Sequence, residues 1–275
     1  MNYRHGYHAG NFADVHKHLA LVAILQHLAK KQKPFAVIDV HAGAGLYDLR
    51  GEEASKTREA DWGIERFQKY DPVSPLLGAY LELVCTFGHH HYPGSPLIAA
   101  KMLRSGDRLV AIEKHPAEFA RLQKRLSNSS QARLVEGDGY ELLQRYLPPP
   151  ERRGLVLIDP PYEEPDELER LSSAFANAYR RFATGIFLVW YPFKDARAID
   201  ALIGELLGTG VRDLLNLMID VGSEASDRLS AAGLLVANPP FNLDREMREA
   251  SFEILPLVKR GERARVGVEW IAGPT

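Results

Sequence analysis

Leu155-Val156-Leu157-Ile158-Asp159-Pro160-Pro161-Tyr162 is an apolar run that stops at a carboxylate, two prolines and an aromatic ring. Four aliphatic residues in a row, bounded by turn formers, form the pattern of a buried strand and its end. Neither proline has an amide to donate, so the strand cannot continue through them. The chain leaves the sheet at Asp159 in a stiff, open turn. A carboxylate, the Pro160 carbonyl and the Tyr162 ring are then presented together at the carboxyl end of a strand. In open α/β sheets that edge is where ligands bind.

These groups suit methylation of an exocyclic amine on a flat base. The lone pair of such an amine is delocalised into the ring, which makes it a poor nucleophile. The Asp159 carboxylate and the Pro160 carbonyl can each accept a hydrogen bond from the NH2, drawing the nitrogen toward tetrahedral geometry and localising the lone pair. Tyr162 can stack on the base and hold it in line with a methyl donor. A strand-ending turn with an incidental aromatic is the plain alternative, which the tetrapeptide alone leaves open.

Outward from this stretch, strands and helices alternate. Asn11 can cap a helix from Phe12 to Lys31, with Val15, Leu19, Val22, Leu25 and Leu28 on one face. A strand follows at 35–40 and leads into His41-Ala42-Gly43-Ala44-Gly45. Residues 46–92 break the rhythm and read as a helical insertion within a single domain spanning 1–275, not as a separate domain. Alternation resumes at Pro93-Gly94-Ser95-Pro96, with Ser95 expected as helix cap and Pro96 in the first turn. Strands at 109–112, 132–135, 155–158, 185–190, 214–219, 233–237 and 265–271 are separated mostly by helical stretches. The link between 219 and 233 is too short for a crossover helix, so that pair is expected to be antiparallel. This is the pattern of an α/β sandwich with helices on both faces of its sheet.

Gly43-Ala44-Gly45 directly follows a strand, where glycines let the backbone approach a ligand. The third glycine of a dinucleotide loop is replaced by Asp48, and the Walker pattern is absent, so NAD and ATP lose ground. What remains, Asp-x-x-x-Gly-x-Gly from Asp39 to Gly45, suits S-adenosylmethionine. Glu113 ends the next strand, where a carboxylate can take both ribose hydroxyls, and Asp138-Gly139 follows the one after, where an acid can meet the adenine amino group. Each acid could equally be an ordinary surface group. Their order along the chain matches a methyl donor's needs: loop, ribose acid, adenine acid, reacting turn.

Composition bounds the class. The net charge of −2 argues against broad coating of nucleic acid, which needs a basic footprint, but leaves room for a local patch. Arg4, His5, His8, Lys17, His18, Arg50, Lys56 and Arg58 are candidates for one. Apolar stretches fall short of the ~20 residues that span a bilayer. The first residues lack the apolar core of a signal peptide. The single cysteine, Cys85, cannot form an internal disulfide and reads as a small buried hydrophobe. These features are those of a cytoplasmic protein.

With these residues in place, the chain resembles the bacterial 23S ribosomal RNA adenine-N6 methyltransferases of the RlmJ type, of the class I S-adenosylmethionine-dependent fold. The resemblance rests on Tyr3-Arg4-His5 with His8-Ala9-Gly10-Asn11 and Asp14, Lys17-His18, His41 to Gly45, Tyr92-Pro93-Gly94-Ser95-Pro96, Asp138-Gly139, Arg152-Arg153-Gly154, Asp159 to Tyr162, Arg181 to Gly185, Trp190-Tyr191-Pro192 and Asn238-Pro239-Pro240. It implies a Rossmann-like, mostly parallel seven-stranded sheet with helices on both faces. His18, His41, Ser95, Glu113, Asp138, Gly139 and Asp159 would line the site of S-adenosylmethionine. Tyr3, His5 and Lys17, with Pro160 and Tyr162, would meet the target nucleotide. The implied partner is 23S ribosomal RNA, free or early in assembly, with one adenosine flipped out of its stack. The protein would act as a monomer, without metal or membrane.

His89-His90-His91 suggests a metal site, but adjacent residues converge poorly on one ion and no accompanying Cys or carboxylate pattern is present. Asn238-Pro239-Pro240-Phe241 is itself an amino-methyltransferase pattern, yet it falls outside the order of loop, acids and turn. Asp14 and Lys17 share a helix face and could simply be a surface pair worth little. Two other functions stay open: a DNA adenine methyltransferase, which shares the chemistry of Asp159 to Tyr162, and a non-catalytic RNA-binding assembly factor.

Overall fold

The computed structural model describes residues 4–223 and 229–273. The chain opens with a 3-10 turn (His5–Tyr7) and helix α1 (Phe12–Ala29), then strands β1 (Ala36–Asp39) and β2 (Leu46–Asp48). Helix α2 (Glu52–Thr57), two 3-10 turns (Glu59–Trp62 and Ile64–Phe67), helix α3 (Pro75–Cys85) and strand β3 (His91–Pro93) follow. Then come α4 (Ser95–Met102), β4 (Arg108–Glu113), α5 (Pro116–Leu126), β5 (Ala132–Glu136), α6 (Gly139–Leu143), a 3-10 turn (Gln144–Tyr146) and β6 (Gly154–Ile158). The chain continues with α7 (Glu167–Arg181), β7 (Ile186–Pro192), α8 (Ala196–Gly208), β8 (Leu214–Asp220), β9 (Ala231–Ala237), α9 (Leu243–Val258) and β10 (Arg265–Ala272).

The main sheet has the order β10-β8-β9-β7-β6-β1-β4-β5. It has eight strands where the resemblance implied seven, and the strand read at 265–271 is β10, which pairs antiparallel with β8 along the edge. The five strands from β7 to β5 are parallel, and β9 runs antiparallel to both β7 and β8. From β1 the chain first builds outward through β4 and β5, then crosses to β6 on the other flank. The crevice between the carboxyl ends of β1 and β6 is therefore the topological switch point, where such sheets bind ligands.

Alternation within strands fills two cores. Val37, Leu155 and Leu157 pack with α1, α4 and α9 on one face. Ile38, Val156 and Ile158 pack with α6, α7 and α8 on the other. Strand β6 is buried at every position, as its unbroken apolar run dictates.

Helix α1 departs from the one-faced reading. Asn11 caps it, its side chain accepting from the Asp14 amide at 2.9 Å. Residues 11–25 are buried without a break. The sheet covers one side, and α3, α4 and α9 cover the rest. Asp14 and Lys17 are thus interior residues, 2% and 4% exposed, rather than a solvated pair.

Segment 46–92 is closed at its base by the β2–β3 ladder, in which Leu46 pairs with Pro93 and Asp48 with His91. Two 3-10 turns, Glu59–Trp62 and Ile64–Phe67, carry the middle of this segment, which is less helical than a helical insertion implies. Helix α4 is capped by Gly94, and Ser95 is its first residue rather than its cap. Cys85, at the end of α3, is exposed and not part of the core. Among the described residues no helix is long and apolar enough to cross a membrane, and no group of three or more His, Cys, Asp or Glu is arranged to hold a metal.

Candidate active site

A cavity of about 730 Å³ opens at the switch point and gathers His5, Lys17, His18, His41, Gly43, Ser95, Glu113, Asp159, Pro160 and Tyr162 on its walls. Its size is that of a small-molecule site. Residues far apart in sequence meet here because the first turns of α1 lie at the sheet's carboxyl edge, where β1, β4 and β6 all end.

Asp159 is the first residue past β6. Its Oδ2 accepts from Lys17 Nζ at 2.5 Å, and the same ammonium donates to Asp14 Oδ1 at 2.8 Å. His5 Nε2 lies 2.8 Å from Asp14 Oδ2. The result is a buried relay of alternating charge that ends on Asp159. Burial disfavours the Lys17 cation, but attraction to Asp14 and Asp159 outweighs that and raises its pKa above the ordinary lysine value. Burial likewise opposes the Asp14 anion, and its contacts with His5 and Lys17 still hold it well below the usual carboxylate range. Charges this deep persist only when paired. Sequence spacing showed Asp14 and Lys17 as neighbours; it could not show that His5 and Asp159 would close on them at the cavity.

Tyr162 holds a left-handed φ of +54°. Its hydroxyl donates to the Trp190 carbonyl at 2.7 Å, and its ring meets Trp190 edge-on at 5.5 Å. A non-glycine residue in that conformation costs roughly 1–3 kcal/mol and marks a position where geometry matters more than comfort. Trp190, which also lines the cavity, had entered the sequence reading only as part of the resemblance.

The loop after β1 forms the opposite wall. Gly43 sits at φ +63°, and its amide donates to Glu113 Oε2 at 2.7 Å. Glu113 Oε1 accepts from the His115 amide at 2.6 Å. Burial raises the Glu113 pKa in spite of these bonds. His41 packs edge-on against Tyr140 at 4.9 Å, its buried Nδ1 has no hydrogen-bond partner, and burial lowers its pKa to about 3. His18 Nδ1 lies 2.8 Å from the Tyr92 hydroxyl, which in turn meets Tyr80. Burial lowers His18 to about 3, so both imidazoles are neutral near pH 7.

Asp39, at the end of β1, is 1% exposed and its carboxylate oxygens make no hydrogen bond of ordinary geometry. Burial raises its pKa to about 7, only partly offset by the Ser95 hydroxyl and the His41 backbone. Orphaned Asp39 and His41 beside an open cavity are what a polar ligand would satisfy. With Glu113, Ser95 and the raised backbone at Gly43, this wall fits the methionine and ribose ends of S-adenosylmethionine.

Asp138 and Gly139 stand beside the cavity rather than on its wall. Asp138 caps α6 and pairs with Lys114 at 2.9 Å and Arg170 at 2.8 Å. Burial opposes its charge, but those two cations bring its pKa down to about 2. Gly139 packs so closely on β1 that an added Cβ would lie 2.1 Å from the Val40 carbonyl oxygen. Tyr3 lies outside the described residues.

Asn238-Pro239-Pro240-Phe241 takes no part in the cavity. It follows β9, which runs antiparallel to β7, so it emerges at the other edge of the sheet. Asn238 there donates to the carbonyls of Ala183 and Gly185.

The family model described as ribosomal RNA large subunit methyltransferase D, RlmJ, matches residues 32–272. The chain is 41% identical over 252 residues to ribosomal RNA large subunit methyltransferase J of Escherichia coli K12, covering 90% of each. It is 37% identical over 282 residues to the protein of the same name in Haemophilus influenzae, covering 98% of this chain and 99% of that one. A crystal structure from Legionella pneumophila superposes with a TM-score of 0.88 at 30% identity, over 96% of this chain and 98% of the other. A probable spermidine synthase from Corynebacterium glutamicum shares the fold alone, with a TM-score of 0.53 at 12% identity over 97% of this chain and 77% of the other. With a matched segment that reaches from the end of α1 to the last strand, the chain belongs to the RlmJ family of ribosomal RNA large subunit methyltransferases.

Proposed function

We propose that this protein methylates the exocyclic 6-amino group of one adenosine in 23S ribosomal RNA, using S-adenosylmethionine. The observation that carries the reading is the convergence of Asp159, the Pro160 carbonyl and the Tyr162 ring on the same cavity as the loop from His41 to Gly45. S-adenosylmethionine bound there supplies a methyl group on a sulfonium. The protein's own part is to sharpen and aim the acceptor. Lys17 occupies Asp159 Oδ2 and fixes the carboxylate, leaving Oδ1 to accept from the amine. The Pro160 carbonyl accepts the second hydrogen. Tyr162, locked by Trp190, provides the stacking face. As the nitrogen takes the methyl group, the methyl C–S bond would break to leave a neutral thioether, the methylated amine would shed a proton, and Asp159 is placed to receive it. Lys17 stays charged and is no base, since its two carboxylates stabilise the ammonium. A covalent enzyme intermediate is not required.

On the cofactor side, His18, His41, Ser95, Glu113 and Asp159 would hold S-adenosylmethionine, with Asp138 and Gly139 placing the adenine end. On the RNA side, His5 and Lys17, and Tyr3 by the family resemblance, would meet the target nucleotide. The base must be flipped from its stack to enter, which favours free or early-assembly RNA over a finished subunit. Residues 46–92 form an insertion within one domain, and the protein works as a cytoplasmic monomer.

The test is incubation with tritiated S-adenosylmethionine and protein-free 23S rRNA from a strain lacking the endogenous enzyme, beside 16S rRNA and duplex DNA. Label in N6-methyladenosine from 23S rRNA alone is the expected outcome. Label in DNA would favour a DNA adenine methyltransferase. Binding of cofactor and RNA without any label would favour a non-catalytic assembly factor.

A further inference from the structure

A protein that holds a polyanion needs positive charge, and the catalytic side of this molecule does not supply it. The segments leaving the carboxyl ends of β1, β4, β5, β6 and β7 (40–45, 114–115, 137–138, 159–166 and 193–195) carry two Lys or Arg against six Asp or Glu. Segment 46–92, the natural place to look for RNA contacts, carries five against eight. At the opposite edge the balance reverses. Segments 30–35, 103–108, 145–153, 180–185 and 209–213 carry eleven Lys or Arg against three Asp or Glu, in a chain whose net charge is −2.

These segments form one surface. The register places Ala36 beside both Arg108 and Gly154, at the starts of β1, β4 and β6. Arg153 donates to the Lys33 carbonyl at 3.0 Å, Arg104 to the Lys31 carbonyl at 2.9 Å, and Arg181 to the Gln144 carbonyl at 3.3 Å. The Asn238 amide donates to the Asp213 carbonyl at 2.9 Å, tying in the far end. Five strand spacings separate β4 from β8, so the edge runs for roughly 24 Å. Arg104 and Arg153 brace it, while Lys31, Lys33, Arg145, Arg152 and Arg212 are exposed. The crowding of like charge is felt locally: after burial, Lys30, Arg153 and Lys31 lower the His27 pKa. Phe241, 82% exposed, stands at the same edge. Cations in a row beside an exposed aromatic ring are the elements of a surface that follows a nucleic-acid backbone and stacks a base.

We propose that this edge is a second RNA-docking surface, which holds the backbone of the substrate RNA at a distance from the target adenosine and stacks an unpaired base on Phe241. The proposal rests on the reading that the substrate is ribosomal RNA. It gives a role to Asn238-Pro239-Pro240-Phe241 that the chemistry of methyl transfer does not.

The experiment measures binding of protein-free 23S rRNA between about 50 and 200 mM salt, and separately the kcat and KM of methyl transfer. The variants are K31E/K33E/R152E and F241A, with K69E/R245E/K259E as a control of equal charge change placed elsewhere. For K31E/K33E/R152E we expect at least tenfold weaker binding, a salt slope shallower by about 2 to 3, a raised KM and a kcat within twofold of wild type. F241A should weaken binding between about fivefold and a hundredfold. Wild-type affinity and slope in the edge variant would overturn the proposal. So would an equal loss in the control, or an edge that binds anionic lipid vesicles and leaves RNA affinity untouched. A wild type that binds 23S rRNA but transfers no methyl group would overturn the proposed function and leave the docking result readable.

Discussion

Asp159-Pro160-Pro161-Tyr162 and Asn238-Pro239-Pro240-Phe241 are nearly the same tetrapeptide, and both end a buried strand of one sheet. The first lies at the floor of the cavity, with its carboxylate on Lys17 and its ring on Trp190. The second lies at the opposite edge, where Asn238 is spent on backbone carbonyls and Phe241 faces solvent. The difference is the direction of the strand. Strand β6 is parallel to β1 and ends at the switch point; β9 is antiparallel to β7 and ends away from it. A motif's chemistry is decided by the edge to which the topology delivers it.

The two edges also treat buried acids differently. Asp107, at the start of β4, is met by Arg104 and by the amides of Phe35 and Arg104, and although burial opposes its charge, these partners lower its pKa. Asp39, at the end of β1, is left without a good partner and is raised to about 7. At the carboxyl edge of the sheet Asp39 stays unmet, which costs stability and leaves it for a ligand.

Variants can break this contrast. Lys17→Met should have the largest effect, since it leaves Asp14 and Asp159 facing each other without their shared cation. A loss of about 3–5 kcal/mol in a urea unfolding experiment is expected; a loss below about 1 kcal/mol would show that the relay is not buried as described.

Asp39→Asn tests the unmet acid through pH. An unfolded aspartate titrates near 3.9, and the folded one at about 7. The folded state therefore retains a proton that the unfolded chain releases. The residue's stability penalty grows as pH rises from about 4 and is complete above about 7. Asp39→Asn should stabilise the cofactor-free protein at pH 8, by up to a few kcal/mol, and change little at pH 4. Parallel stability curves for the two proteins across that range would contradict the assignment.

Tyr162→Ala should cost about 1–3 kcal/mol of transition-state binding, read as a fall in kcat/KM, with cofactor affinity within twofold. Phe241→Ala should leave kcat unchanged. Equal kcat losses in the two would erase the distinction between the edges.

Much of this was legible in the sequence because the strands are short, apolar and sharply bounded. The run from Leu155 to Ile158, the double proline after it and the glycines at 43 and 45 fixed strand ends and therefore placed the cavity. The antiparallel pairing of β8 with β9 followed from the length of the link. What was not legible depended on long-range cover. Nothing local in Asp14-Val15-His16-Lys17 says that Asp14 and Lys17 will be buried against His5 and Asp159. The exposure of Cys85 and the shift of the α4 cap to Gly94 turn on how segment 46–92 folds, and the strand at 265–271 was legible while its pairing with β8 was not. The basic edge was hidden for a similar reason, since its lysines and arginines are spread over five separate segments that only the register brings together.

The most direct test of the central claim is a single-turnover methyl-transfer assay on 23S rRNA with saturating S-adenosylmethionine, comparing Asp159→Ala with Asn238→Ala. Asp14 remains in place to hold Lys17, so Asp159→Ala should stay folded, and the saturating cofactor makes up for the contact that the variant loses. The account predicts a rate lower by two to three orders of magnitude, about 2.7–4 kcal/mol, for Asp159→Ala, and a rate within about twofold of wild type for Asn238→Ala. A near-normal rate in Asp159→Ala, or a comparable loss in Asn238→Ala, would contradict it.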